Sequence, residues 1–226
     1  MSSIALLGAT GLVGGHCLDL LVRDPAFTRI VVLVRRKFAE AMAPRVEGHI
    51  VDFDRLGDHP DLLGVDQAIC ALGTTIRNVD GSKTRFREID FGIPLAAATL
   101  ARAQGARHFL LVSAINANAG SRIFYNRVKG ELEDALRPMG FRSITIVRPS
   151  LLLGARAEFR LGEALVSRLA WAIPGRYRPV HARAVAATLV AAARADVPGL
   201  RIIESGEIRN PGWMRYEQVG RQRAQR

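Results

Sequence analysis

With 226 residues, 49% of them hydrophobic and 23% charged, the chain excludes a largely disordered polypeptide and suits one α/β domain able to bury a sizeable core. The formal net charge of +11 raises the question of a polyanionic partner, but 29 arginines and three lysines are scattered from Arg23 to Arg226 with no dense basic run outside the tail. No groove-reading or base-stacking motif accompanies the charge, so no specific nucleic-acid partner is expected.

The first stretch, MSSIALLGATGLVGGHCLDLL, is apolar enough to be mistaken for a signal peptide, yet it lacks a basic leader and is broken by glycines at a turn's spacing. Within it, Ile4 to Leu7 reads as a strand and Leu12 to Val22 as a helix. Asp24-Pro25 breaks the helix, and Ile30 to Val34 follows as a second strand, apolar at every position as a strand covered on both faces would be. His49 to Asp52 reads as a weak third strand and Gln67 to Leu72 as a fourth, before a loop containing Asp80-Gly81. Arg85 to Gln104 is one long helical pattern closed by Gly105, and His108 to Val112 is a fifth strand. Ile123 to Leu136 reads as a helix, and Ser143 to Val147 as a sixth strand stopped by Pro149.

Beyond that point the pattern carries helices over Glu163 to Trp171 and Ala182 to Ala195, and a short strand over Arg201 to Glu204. The polar and basic end from Asn210 is expected to fray, with Trp213, Met214 and Tyr216 docking on their own domain. Strands alternating with helices predict parallel βαβ units: a doubly wound, Rossmann-type parallel sheet with helices on both faces and a small C-terminal extension. No stretch reaches the roughly 18 uninterrupted apolar residues of a membrane helix. Cys17 and Cys70 fall in separate core elements, which leaves no disulfide framework or zinc site and fits a soluble protein of the reducing cytoplasm.

Between the first strand and the first helix lies Gly8-Ala9-Thr10-Gly11-Leu12-Val13-Gly14. A chain that must turn tightly, admit a pyrophosphate to its backbone and present free N–H groups at a helix start needs glycine there; a turn that merely packs helix on strand is the other reading. The end of the second strand selects between dinucleotides, because a carboxylate there bonds the ribose and an arginine accepts a 2′-phosphate. Here the chain reads Arg35-Arg36-Lys37, which favours NADP(H) over NAD(H) unless the cluster is only a solvated loop. Asp52-Phe53 is placed to contact adenine, or simply to end a strand.

Tyr125 and Lys129 stand four residues apart in a helix and so share a face. A phenol has a reference pKa of about 10, and an adjacent ammonium stabilises its phenolate. Ser113, ending the fifth strand, is expected to hold the substrate oxygen as it gains charge, or else to serve as a cap.

Together, GATGLVG at 8 to 14, Ser113, the YNRVK run at 125 to 129, Arg148-Pro149-Ser150 and Val180-His181 resemble the short-chain dehydrogenase/reductase superfamily in its extended or atypical branch. More narrowly, ALGTT at 71 to 75, EIDFGIPLA at 88 to 96 and FYNRVKGELE at 124 to 133 are similar to the group related to the HIV Tat-interacting protein, whose members bind NADPH and are regarded as oxidoreductases or cofactor-dependent regulators. The resemblance implies one NAD(P)-binding domain over residues 1–226, with 151–226 forming the substrate side and tail. It implies a cofactor lined by Gly8, Thr10, Gly11, Leu12, Val13, Arg35, Arg36, Leu72 and Gly73, with Tyr125 and Lys129 beneath the nicotinamide and Pro149 beside it. It also implies a Ser113-Tyr125-Lys129 triad in which the tyrosine is the general acid. One departure is Asp90, where many members carry asparagine.

Three functions fit these residues: an NADPH-dependent reductase of a small carbonyl or quinone-like compound, an epimerase or dehydratase using the same triad, and a non-catalytic NADPH sensor acting through a protein partner. The expected partner is a small-molecule substrate, with a second copy of the chain or a regulatory protein as the further candidates.

Overall fold

Seven strands lie side by side, all parallel, in the computed structural model, which describes residues 2–36, 43–153 and 177–209. They are β1 (Ser2–Leu7), β2 (Phe27–Val34), β3 (Val46–Ile50), β4 (Gln67–Cys70), β5 (His108–Val112), β6 (Ser143–Arg148) and β9 (Gly199–Glu204), in spatial order β3-β2-β1-β4-β5-β6-β9. A separate parallel pair joins β7 (Leu152–Leu153) to β8 (Val180–His181). The helices are α1 (Leu12–Arg23), α2 (Lys83–Arg87), α3 (Ile93–Ala103), α4 (Phe124–Leu136), α5 (Ala182–Ala195) and α6 (Ser205–Arg209). The order reverses on either side of β1, as the expected doubly wound fold requires.

Alternation along β1 shows how the sheet acquires two cores. Ile4 and Leu6 face one side, where Cys17 and Leu21 of α1 and Val185 and Leu189 of α5 cover them. Ala5 and Leu7 face the other, beneath Ala97 and Ala101 of α3 and Leu132 and Leu136 of α4. All four β1 side chains are fully buried, which is why the strand reads as a continuous apolar run. Alanine at 97, 98 and 101 has no bulk to hold α3 away from the strands.

Three expectations need correction. The third strand spans Val46–Ile50 rather than His49 to Asp52, because its register is set by β2, with Ile30 opposite Val46 and Val34 opposite Ile50. Helix after β4 is not continuous: Ser82 caps α2 through the Arg85 N–H, and a π turn over Glu88–Gly92 separates α2 from α3. The fourth strand stops at Cys70, so Leu72 lies in the following loop. The helix expected over Glu163 to Trp171, Lys37, and the tail with Trp213, Met214 and Tyr216 lie outside the described residues.

Candidate active site

Several of the residues expected to form the site follow the carboxyl ends of the parallel strands. After β1, Gly8 adopts φ +90°, and a Cβ there would sit 2.8 Å from the Ala71 carbonyl, so the turn lies directly on the chain leaving β4. A Cβ on Gly14 would collide with the Gly8 carbonyl, which lets α1 start this close to β1. Gly11 N–H bonds the Gly8 carbonyl at 2.8 Å, and Gly15 N–H makes the first bond of α1, to Gly11. The preceding N–H groups, on Leu12, Val13 and Gly14, have no intrahelical acceptor, and the helix start has neither a side-chain cap nor an acidic first turn. Thr10 is exposed and Leu12 half-buried, whereas the Val13 side chain belongs to the core.

Arg35 and Arg36 are exposed where the chain leaves β2, and neither meets a carboxylate among the described residues. Asp52 spends its carboxylate on the Asp54 N–H at 3.0 Å, capping a short 3₁₀ turn, and Phe53 is buried in the core. Pro149 is buried after β6, its carbonyl accepting from Ile115 N–H at 2.9 Å.

Tyr125 lies in the first turn of α4, half-buried, its ring 5.6 Å from the fully buried Phe86 of α2. Its hydroxyl has no hydrogen-bond partner among the described residues. One turn on, Lys129 is 3% exposed and places Nζ 2.7 Å from Oδ1 of Asp90. Burial alone would pull this ammonium down, but Asp90 and then Tyr125 and Cys70 outweigh it and hold it above the ordinary lysine value. Gly73 closes the arrangement: a Cβ there would stand 3.7 Å from Lys129 Nζ. The glycine turn thus rests on Ala71 and Leu72, and the next residue, Gly73, rests on the lysine.

Ser113 does not join them as expected. Its hydroxyl is buried and donates to Glu133 Oε1 at 2.5 Å, in a network where Arg148 also meets Glu133 at 2.5 Å and Glu204 at 2.9 Å. Glu133 holds Arg148 well above the usual arginine range. A hydroxyl has one proton, and in this arrangement it goes to the Glu133 carboxylate. Sequence reasoning missed Glu133, although its position four residues after Lys129 puts it on the same helical face.

No family model matches the chain. Sequence relatives do. "Protein fmp52, mitochondrial" of Emericella nidulans is 36% identical over 179 residues, 76% of each chain, and "Protein HTATIP2" of Rattus norvegicus is 33% identical over 183 residues, 80% of this chain and 75% of that one. The chain belongs to the HTATIP2/Fmp52 family. A further Fmp52, from Eremothecium gossypii, is 32% identical over 90% of this chain and 94% of its own. Among solved structures, the DesIV dTDP-glucose 4,6-dehydratase of Streptomyces venezuelae with NAD bound gives a TM-score of 0.70 at 18% identity, covering 90% of this chain and 76% of that one. The UDP-Glc/GlcNAc 4-epimerase of Campylobacter jejuni gives 0.70 at 14%, covering 92% and 82%. This HTATIP2/Fmp52 member therefore has the fold of short-chain dehydrogenase/reductase-type enzymes. The cytoplasmic expectation is corrected by the Fmp52 relatives, which are designated mitochondrial. Cys17 and Cys70 are free and buried, and carry no address. No described helix is long and apolar enough to cross a membrane.

Proposed function

We propose that the protein binds NADP(H) and reduces a small carbonyl or quinone-like substrate with Tyr125 as general acid and Lys129 as its charge partner. The observation that carries this reading is a half-buried phenol one helical turn from a buried ammonium, joined through Gly73 to the glycine turn at the same sheet edge. The residues present fit a dinucleotide: Gly8 and Gly14 leave no Cβ in the turn, and Leu12, Val13 and Gly14 offer N–H groups to a diphosphate. Arg35 and Arg36, exposed after β2, would be the cations that take a 2′-phosphate. Thr10 and Gly11 would contribute to holding the diphosphate, and Leu72, Gly73 and Pro149 would line the rest of the cofactor.

When bound, the reduced dinucleotide supplies the hydride. Tyr125 gives its hydroxyl proton to the substrate oxygen as that oxygen gains charge, and Lys129 stabilises the phenolate left behind. With the Ser113 proton committed to Glu133, the reading rests on a Tyr-Lys pair rather than a triad. The reaction adds one hydride and one proton to the carbonyl and yields the alcohol.

The test is NADPH oxidation by purified protein against a panel of aldehydes, ketones and quinones. Tyr125→Phe should lower kcat by at least about 100-fold while dinucleotide affinity stays within about threefold. Turnover that survives the substitution, or NADPH bound without turnover on any substrate, would overturn catalysis in favour of a binding role. Arg35→Ala combined with Arg36→Ala should weaken NADPH at least about tenfold and leave NADH nearly unchanged.

A further inference from the structure

The helix segment running from α2 through the π turn into α3 turns Phe86, Asp90, Ile93, Ala97 and Ala101 inward. Four of these are apolar and one is a carboxylate with no exposed surface. A buried carboxylate on such a face is costly unless its oxygens are partnered. Both are. Oδ2 accepts the Thr74 N–H at 2.8 Å, and Oδ1 lies 2.7 Å from Lys129 Nζ with no other polar partner among the described residues. A Cβ on Gly73 would stand 3.4 Å from Oδ1, so the carboxylate sits directly against the Gly73-Thr74 loop. The π turn over Glu88–Gly92 is the backbone device that presents it, a helical distortion often found at functional sites.

We propose that Asp90 is a positioning residue of this site, whose carboxylate fixes the Lys129 ammonium against the Gly73-Thr74 loop and supplies its counter-charge. The proposal rests on the reading of Tyr125 and Lys129 as the reacting pair. Lys129 is reached by Asp90 from the π turn, by Tyr125 from its own helix and by Cys70 from β4. Glu133, one turn further along α4, is taken up by Ser113 and Arg148. Asp90 is therefore the carboxylate that sustains a charged lysine in a place where burial favours the neutral amine. Through that ammonium it also settles how much positive charge the phenol meets, although it touches neither the phenol nor the substrate. Its bond to Thr74 N–H ties the same carboxylate to the loop that lines the cofactor, so lysine and loop are set by one group.

The chain has lysine only at 37, 83 and 129, so labelling with 13Cε-lysine gives three resonances, and Lys37→Arg and Lys83→Arg assign the third. In ligand-free protein, Asp90→Asn should move the Lys129 titration down by at least about one pH unit, and Asp90→Glu should restore most of it. In turnover, the alkaline limb of the kcat profile should move the same way. A folded Asp90→Asn protein in which Lys129 titrates as in wild type overturns the proposal. If that variant does not fold, Asp90→Glu decides: the longer side chain should move the Lys129 13Cε chemical shift, and an unchanged resonance overturns it. Because the titrations use ligand-free protein, they can fail while Tyr125→Phe still abolishes turnover, and they can succeed where no substrate is reduced.

Discussion

A serine hydroxyl carries one proton, and Ser113 gives it to Glu133 Oε1 at 2.5 Å, in a site where both residues are almost completely buried. Removing the hydroxyl strips a charged acceptor of a donor where water does not replace it, which costs about 1–3 kcal/mol. Ser113→Ala should therefore lower unfolding stability by that amount in a urea titration while kcat/KM stays within about threefold. A hundredfold loss of kcat at unchanged stability would return the serine to the reacting groups. The same contrast explains what could be read at this scale. Tyr125 and Lys129 are legible because four-residue spacing puts them on one face of a local element. The use of Ser113 is not, since its acceptor comes from α4 and the arginine sharing that acceptor comes from β6. Asp90 stood out as a carboxylate in the sequence, but its pairing depended on the π turn that brings it to Lys129.

Among the elements, the β1-turn-α1 unit has the least room for change. The position a Cβ would take on Gly14 is occupied by backbone atoms of Gly8 and Ala9, which cannot swing aside as a side chain would. Gly14→Ala should push α1 from the turn, raising the dinucleotide dissociation constant at least about tenfold by calorimetry and costing about 1–3 kcal/mol of stability. Tight binding with an unmoved melting temperature would mean that the helix start is not the anion site. This unit was legible because its strand, glycine spacing and helix are contiguous, and α5 likewise spans Ala182–Ala195 as its composition predicts. The third strand was misplaced because it is half-exposed, with little hydrophobic pattern of its own, and takes its register from β2. The long pattern after β4 concealed the π turn, since the inward positions recur at helical spacing through it.

Among the described residues, the candidate site lies toward the carboxyl ends of the strands and a cluster of ion pairs at their amino ends. At the amino ends of the strands, Asp196, beyond α5, accepts Arg107 Nε at 2.8 Å and Arg142 Nη1 at 3.1 Å, while Arg107 also reaches Asp66 at 2.7 Å and Asp66 holds Ser3 at the start of β1. Arg29–Glu47 and Arg87–Glu131 are further ion pairs among the described residues. Within the cluster, His108 is 1% exposed, its Nε2 2.9 Å from Thr145 Oγ1 and its Nδ1 3.2 Å from Asp196. Burial pushes its pKa down to about 4, against the pull of Asp196 and aided by Arg107 and Arg142. The unfolded chain takes up that proton near pH 6.5, so the native state is favoured above that value and loses stability as pH falls toward about 4. The loss is on the order of 2–3 kcal/mol. Asp66, held low chiefly by its bonds from Ser3 against the cost of burial, adds its own loss mainly below this window. Urea unfolding at pH 7 and pH 4.5 should show the decline in wild type. In His108→Gln it should shrink by most of that amount, even though the variant starts from a lower stability at pH 7. An equal decline in both proteins would place the acid sensitivity in the carboxylates and leave the histidine a neutral strut.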